Sequence, residues 1–231
     1  MLSEKKINGK GCFIYENGRS DTVLIQAVDQ HDLDLLDREL EHIKSLSPET
    51  HFTLAAFLIE DWNIELSPWE ASAVFGGEPF GSGAAQTLSF ITECLIPEIN
   101  NIYPSTDKKR FYLGGYSLSG LFALWSAYQT AQFCGIAAVS PSVWFPDWES
   151  YISSHTIKAP QVYLSLGEKE EKTRNKLMSS VGNNIRHQHE LLSKTDTVKS
   201  LTLEWNPGSH FTEPELRTAK GFAWLLNLSD N

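Results

Sequence analysis

The sequence predicts an α/β fold with a mostly parallel central sheet flanked by helices. Three observations carry that expectation. From Asp21 onward, short apolar runs alternate with segments of helical period. No repeat, linker or charge block divides the 231 residues, so 1–231 reads as a single domain with little room for a separate lid domain. Hydrophobic residues make up 41% of the chain against 21% charged, ample apolar material for a core and too much for a disordered chain.

Thr22 to Val28 (TVLIQAV) reads as a buried strand, because so continuous an apolar run offers no face to water. Leu33 to Ile43 follows as an amphipathic helix, with Leu33, Leu36, Leu40 and Ile43 on one stripe. Phe52 to Ile59 (FTLAAFLI) is the next strand. Between Glu60 and Gly83, a stretch containing Trp62, Pro68, Trp69, Gly76, Gly77, Pro79 and Gly81 fits no regular period and is expected to be a pocket-forming loop. Thr87 to Ile99 has a helical pattern and Arg110 to Leu113 is a strand. Leu118 to Tyr128 is apolar on most faces, as a helix packed deep against a sheet would be. Gly135 to Ser140 and Gln161 to Leu166 supply further strands, and Val198 to Trp205 alternates like a partly exposed one. The last helix, Leu216 to Leu226, is announced by Thr212-Glu-Pro-Glu215, which sets a capping hydroxyl, a first-turn proline and a reaching carboxylate at capping-box spacing.

Twenty-nine acidic residues against 19 basic ones give a formal charge of -10, a field that repels phosphate backbones and anionic lipid headgroups. The densest basic cluster is only Lys108, Lys109 and Arg110, so no nucleic-acid partner is expected. Met-Leu-Ser-Glu-Lys-Lys opens with mixed charges where a secretory signal would carry an apolar region, and no run approaches the roughly 20 apolar residues of a membrane helix. Cys12, Cys94 and Cys134 are odd in number and lack C-x-x-C spacing. A cytoplasmic protein without membrane partners fits these features.

The most informative segment is Arg110-Phe-Tyr-Leu-Gly-Gly115-Tyr-Ser117-Leu-Ser119-Gly120, where a strand turns through Gly-x-Ser-x-Ser-Gly directly into a helix. A hydroxyl pushed out at the carboxyl edge of a sheet needs small residues two before and two after it, and Gly115 and Ser119 meet that need. The helix behind Ser117 aims free N–H groups and its positive dipole end at any oxyanion formed there. The competing reading is a turn glycine with a helix N-cap serine.

A serine of ordinary basicity needs a base. His210 lies in Asn206-Pro-Gly-Ser-His210-Phe, a loop between the last strand and the last helix, where a turn can present its ring over the sheet edge. His31, His42, His51, His155, His187 and His189 read as surface residues, and the i, i+2 spacing of His187 and His189 faces them apart on a helix. A carboxylate to orient the imidazole is offered by Glu168, Glu170 and Glu171, just past the strand ending at Gly167. Glu170 is favoured because Gly167 allows one tight turn before it; Glu168 and Glu171 read more readily as a charged helix start. Trp62, Trp69, Trp144 and Trp148 fall in loops at the same edge; Trp62, Trp69 and Trp144 are expected as aromatic walls for an acyl or aryl substrate, the alternative being that they cap the core.

The order Ser117, Glu170, His210 on alternating strands and helices resembles the α/β-hydrolase fold, and the details resemble its esterase D and enterochelin-esterase-like branch. Gly-Tyr-Ser-Leu-Ser-Gly at the elbow, Val139-Ser-Pro-Ser-Val-Trp144 after the next strand and the aromatic Trp62 to Gly83 loop carry the likeness, over roughly residues 20 to 228. Ser119 stands where the family more often has glycine, and no His-Gly follows the first predicted strand. The resemblance implies a serine hydrolase that cleaves a small-molecule carboxylic ester or thioester through an acyl-serine, with Ser117 as nucleophile, His210 as base and Glu170 as orienter, the alternative in that branch being a Ser117–His210 pair that works without the acid. The backbone N–H groups of Leu118 and, by position, of Val28 would form the oxyanion hole. No ligand cluster or phosphate-cradling loop appears, so neither a metal nor an organic cofactor is expected. An acyltransferase using the same residues and an inactive hydrolase-fold binding protein are the rival readings, and oligomeric state leaves no mark in the sequence.

Overall fold

The computed structural model describes residues 2–74, 77–105 and 107–229; Gly76 of the aromatic loop lies outside them. Eight strands form one sheet in the order β1-β2-β4-β3-β5-β6-β7-β8. The strands are β1 (Ser3–Ile7), β2 (Lys10–Asn17), β3 (Thr22–Val28), β4 (Phe52–Leu58), β5 (Arg110–Tyr116), β6 (Gly135–Val139), β7 (Gln161–Gly167) and β8 (Ser200–Asn206). From β4 to β8 all neighbours run parallel, and β2 joins β4 antiparallel. The β1–β2 hairpin is one element that the apolar patterns did not announce, since four of the five residues of β1 are exposed. Its signal is the dipeptide Asn8-Gly9, both at positive φ (45° and 86°), as a two-residue hairpin turn requires.

The continuous apolar runs become strands because helices cover both faces. Leu24, Val28, Leu54, Tyr112, Ala137 and Tyr163 point to one face, packed with α1 (Gln30–Leu46) and, across the later strands, the last helix, Pro214–Ser229. Val23, Ile25, Ala27, Phe57, Leu113 and Leu164 point to the other. There α5 (Leu118–Gln129) buries residues all round, matching its apolar sequence, beside a helical run from Ala84 to Ile102. That run carries a π turn, Ile91–Leu95, just before Pro97, which has no N–H to continue the ladder. β8 closes the sheet as a half-buried edge, as its alternation predicts. Each of the parallel strands ends on the same side, so the connections after β3, β5, β6, β7 and β8 converge there. Among the described residues, no helix is long and apolar enough to cross a membrane.

One buried carboxylate lies in the first of these layers. Gln26, on the α1 face of β3, donates its amide N–H to Glu39 Oε1 at 2.8 Å, and both are buried. Burial above all, with Asp32 and Glu215 adding to it against the Gln26 bond, pushes the Glu39 carboxyl up to about 8. Folded Glu39 therefore keeps a proton that the unfolded chain releases above 4.5. Its contribution to stability is complete below pH 4.5 and is lost as pH rises through about 8. Glu39→Gln keeps an acceptor for Gln26 and cannot ionise, so its melting temperature should rise relative to wild type as pH goes from about 5 to 8.5. A gap that stays constant across that range, measured by thermal unfolding, would show that Glu39 does not titrate with folding.

Candidate functional site

Ser117 sits immediately after β5 with φ 58° and ψ -120°, a conformation an L residue adopts only under constraint. Gly115 makes the turn possible: a Cβ there would lie 2.1 Å from Ser119 Oγ. Two backbone bonds hold the turn against β6, Ser117 N–H to Val139 O at 3.0 Å and Ser142 N–H to Ser117 O at 3.0 Å. The Ser117 hydroxyl makes no capping bond to α5, which removes the N-cap reading. It lies instead 3.0 Å from His210 Nε2. The Ser119 hydroxyl is spent elsewhere, donating to Ala27 O at the end of β3 at 3.3 Å.

His210 Nδ1 lies 2.7 Å from Glu170 Oε2. An ionised carboxylate only accepts, so Nδ1 carries the proton and Nε2 presents its lone pair to Ser117. The turn after Gly167 folds Glu170 back on itself, and Gly167 N–H donates to Oε1 at 2.7 Å. Of the three glutamates, Glu170 alone meets the ring; Glu168 is exposed, and Glu171 pairs with Arg186 at 2.8 Å. Burial opposes ionisation of Glu170, but the hydrogen bond and charge of His210, the Ser140 hydroxyl and the Gly167 N–H outweigh it and hold the carboxyl below its usual range.

The loop carrying His210 is tied to the loop carrying Glu170 by two backbone bonds, Glu168 N–H to Asn206 O (2.9 Å) and Lys169 N–H to Gly208 O (3.0 Å). Gly208, at φ 94°, takes a bend that other residues resist. Thr212 departs from its expected role: its Oγ1 accepts the Ser209 N–H at 3.0 Å, inside this loop, so it clamps the histidine turn, and the last helix begins with Pro214 at its first position.

Three residues missed by sequence reasoning complete the arrangement. Arg217, 2% exposed, donates to Glu170 Oε1 (3.2 Å), Tyr116 OH (3.2 Å), Ser140 Oγ (3.4 Å) and Pro207 O (2.7 Å). Tyr116 in turn donates to the His210 carbonyl at 2.6 Å, its own hydroxyl pushed up to about 12 by burial. Ser140 donates to Glu170 Oε1 at 2.7 Å. One signal was available: Arg217, Gly221 and Leu225 share a helical stripe that is buried, and a charge on such a stripe requires a partner.

Leu118 is the first residue of α5, so its N–H has no acceptor within the helix and faces the Ser117 turn. Val28 does not serve as expected. Its carbonyl accepts Ile59 N–H from the β4 side at 2.9 Å, and a strand residue's N–H points the same way as its C=O. The Val28 N–H is therefore committed toward β4, away from Ser117.

Trp144 is buried and lines a cavity of about 250 Å³ beside His210 and Glu170. Trp62 and Trp69 do not border it. Trp62 opens a one-turn helix, α2 (Trp62–Glu65), and packs on the core. Trp69 gives its indole N–H to Pro146 O at 3.0 Å and its ring to Phe145, Trp148 and Tyr151, because the loop folds back on its own aromatic residues. Trp148 is buried core at the start of a helix, Trp148–Ser154. The loop borders a separate groove of about 810 Å³ that none of Ser117, Glu170 and His210 lines. Among the described residues, no three His, Cys, Asp or Glu gather where a metal could sit.

A family model described as Putative esterase matches residues 63–204, a span that holds Ser117 and Glu170 and ends before His210. Solved structures with the same fold include the siderophore hydrolase EstA from Aspergillus nidulans, 18% identical with TM-score 0.76, covering 99% of this chain and 95% of its own. An IroE-like serine hydrolase from Shewanella oneidensis is 14% identical with TM-score 0.82, over 98% and 80% of the two chains. The enterobactin esterase FES from Shigella flexneri is 14% identical with TM-score 0.65, over 99% and 59%. No curated protein matches. The fold is that of the α/β hydrolases, with no separate lid among the described residues.

The buried Arg217–Glu170 pair sets a stability expectation. Arg217→Met leaves one carboxylate oxygen short of a cation and frees Pro207 O, and should cost about 3 kcal/mol or more in urea unfolding, with Arg217→Lys recovering part of it. A loss under about 1 kcal/mol would mean that the pair does not hold these loops together.

Proposed function

The chain belongs to the putative esterase family, and we propose that this carboxylesterase-like serine hydrolase cleaves a carboxylic ester or thioester through an acyl-serine on Ser117. Ser117 Oγ attacks the carbonyl carbon while His210 Nε2 takes its proton, and the new oxyanion is met by the Leu118 N–H at the positive end of α5. His210 returns the proton to the leaving oxygen or sulfur. Water then repeats the sequence on the acyl-enzyme and releases the acid. Glu170 keeps Nδ1 protonated and stabilises the imidazolium.

The observation that carries this reading is the unbroken series Ser117 Oγ, His210 Nε2 (3.0 Å), His210 Nδ1, Glu170 Oε2 (2.7 Å) beside a free helix N-terminus. The folds named as siderophore hydrolases make ester-linked siderophores one class for the substrate panel, alongside simple esters and acyl thioesters.

Ser117→Ala should lower kcat by about 10⁴-fold or more, and His210→Gln by a comparable factor. Glu170→Gln should cost about 10²- to 10⁴-fold, while Glu168→Gln and Glu171→Gln stay within a few-fold of wild type. A fluorophosphonate should add once per chain, mapped by mass spectrometry to Ser117. Labelling at Ser119, or near wild-type turnover by Ser117→Ala on every ester cleaved, would overturn the assignment.

A further inference from the structure

The cavity beside His210 has an asymmetry that bears on which half of a substrate it holds. It is bordered by His210 and Glu170 but by neither Ser117 nor Leu118. In the proposed reaction the acyl carbonyl belongs with Ser117 and Leu118, whereas the departing oxygen must reach the histidine that gives it a proton. Space that adjoins the imidazole and not the nucleophile or the oxyanion donor is space for the leaving group. Resting on the acyl-serine reading above, we propose that this cavity is the leaving-group subsite, and that it accepts the alcohol half of an ester built on a single ring or a similar apolar group with an anionic substituent.

Size and lining set the apolar part. Pro141, Trp144, Met178 and Phe211 wall the cavity from three separate segments of chain. Phe211 is 88% exposed and stands edge-on to His210, with ring centroids 5.4 Å apart and planes at 87°. So exposed an aromatic ring beside the general base is a surface that a bound ring would cover. A volume of about 250 Å³ exceeds the roughly 150 Å³ in which a benzene is held, so one substituted ring fits.

Charge sets the rest. Lys169 and Lys172 line the same cavity. Of the carboxylates in the same turn, Glu170 is engaged by His210 and Arg217 and Glu171 by Arg186, while Glu168 is exposed. Among the described residues, neither lysine forms a salt bridge. On a chain of net charge -10, two such ammonium groups at one opening favour a carboxylate, phenolate or sulfonate over a neutral group. In the step itself, the bond between acyl carbon and alcohol oxygen breaks, the acyl group stays on Ser117 Oγ, and the oxygen leaves with the proton from His210 Nε2.

The test compares benzyl acetate with 4-carboxybenzyl acetate, which share the acyl group and differ only at the far end of the alcohol. Methyl phenylacetate and methyl (4-carboxyphenyl)acetate carry the same change on the acyl half. Wild type should prefer the carboxylated benzyl ester in kcat/KM by about 3- to 10-fold at low salt, less at 0.5 M, and show no such preference in the second pair. In the double variant Lys169→Met, Lys172→Met the first ratio should fall to about one, whereas Lys158→Met, Lys194→Met, an equal charge change elsewhere, should keep it. As a readout that needs no turnover, 4-carboxybenzyl alcohol should slow fluorophosphonate labelling of Ser117 more than benzyl alcohol does, and only while Lys169 and Lys172 are present. If the lysine variants alter the acyl pair instead, or if neither turnover nor labelling distinguishes charged from neutral alcohols, the subsite assignment is wrong. Loss of labelling at Ser117 itself would instead remove the acyl-serine reading beneath it.

Discussion

The two oxygens of Glu170 are put to different uses, and the site is organised around that division. Oε2 faces His210 alone. Oε1 collects the Gly167 N–H, the Ser140 hydroxyl and the Arg217 guanidinium. A carboxylate this deeply buried survives ionised only if its charge and lone pairs are both met, and the groups that meet them come from the segment after β6, the end of β7, the loop after β8 and the last helix. Satisfying the charge thus fixes the relative position of loops that are far apart in sequence. Tyr116 extends the same network to the end of β5 and back to the backbone of His210.

This arrangement lets the chain keep a strained residue at its centre. The φ of 58° at Ser117 stands only because the turn is pinned by Val139 O, by Ser142 N–H and by the absence of a side chain at Gly115. The strain aims the hydroxyl at the imidazole, while the bracing fixes the imidazole. Ser119 adds a tie from the first turn of α5 to Ala27 O of β3.

Local patterns carried most of the fold. A run such as Thr22 to Val28 is legible because a doubly covered strand has no polar alternation, and the Gly115-Tyr-Ser117-Leu-Ser119 turn is legible because its steric demands fall within five residues. The β1–β2 hairpin escaped because its apolar content is low, although Asn8-Gly9 was there to be read. Glu170 could be chosen over its neighbours from one local fact, its spacing from Gly167, whereas the partners of Arg217 are fixed only by tertiary packing. Trp69 and Val28 are placed otherwise than expected for a shared reason. Which way an indole turns within a loop, or an N–H within a ladder, depends on neighbours distant in sequence, here Pro146 and Ile59.

The segment from Ser140 to Trp144 links Glu170 to the cavity. Its first residue gives a hydroxyl to Glu170 and its last supplies a wall beside His210, with Ser142 N–H bound to Ser117 O between them. Only five residues long and held at both ends, it cannot shift at one end without moving the other. Whatever occupies the cavity therefore abuts a loop that also holds the Ser117 turn and Glu170 Oε1. Packing of Phe80 against Trp144 and Phe145, with ring centroids 6.1 and 5.1 Å apart, carries that contact outward into the Glu60 to Gly83 loop. The aromatic loop thus packs on Trp144, a wall of the cavity, without any of its own tryptophans lining that cavity.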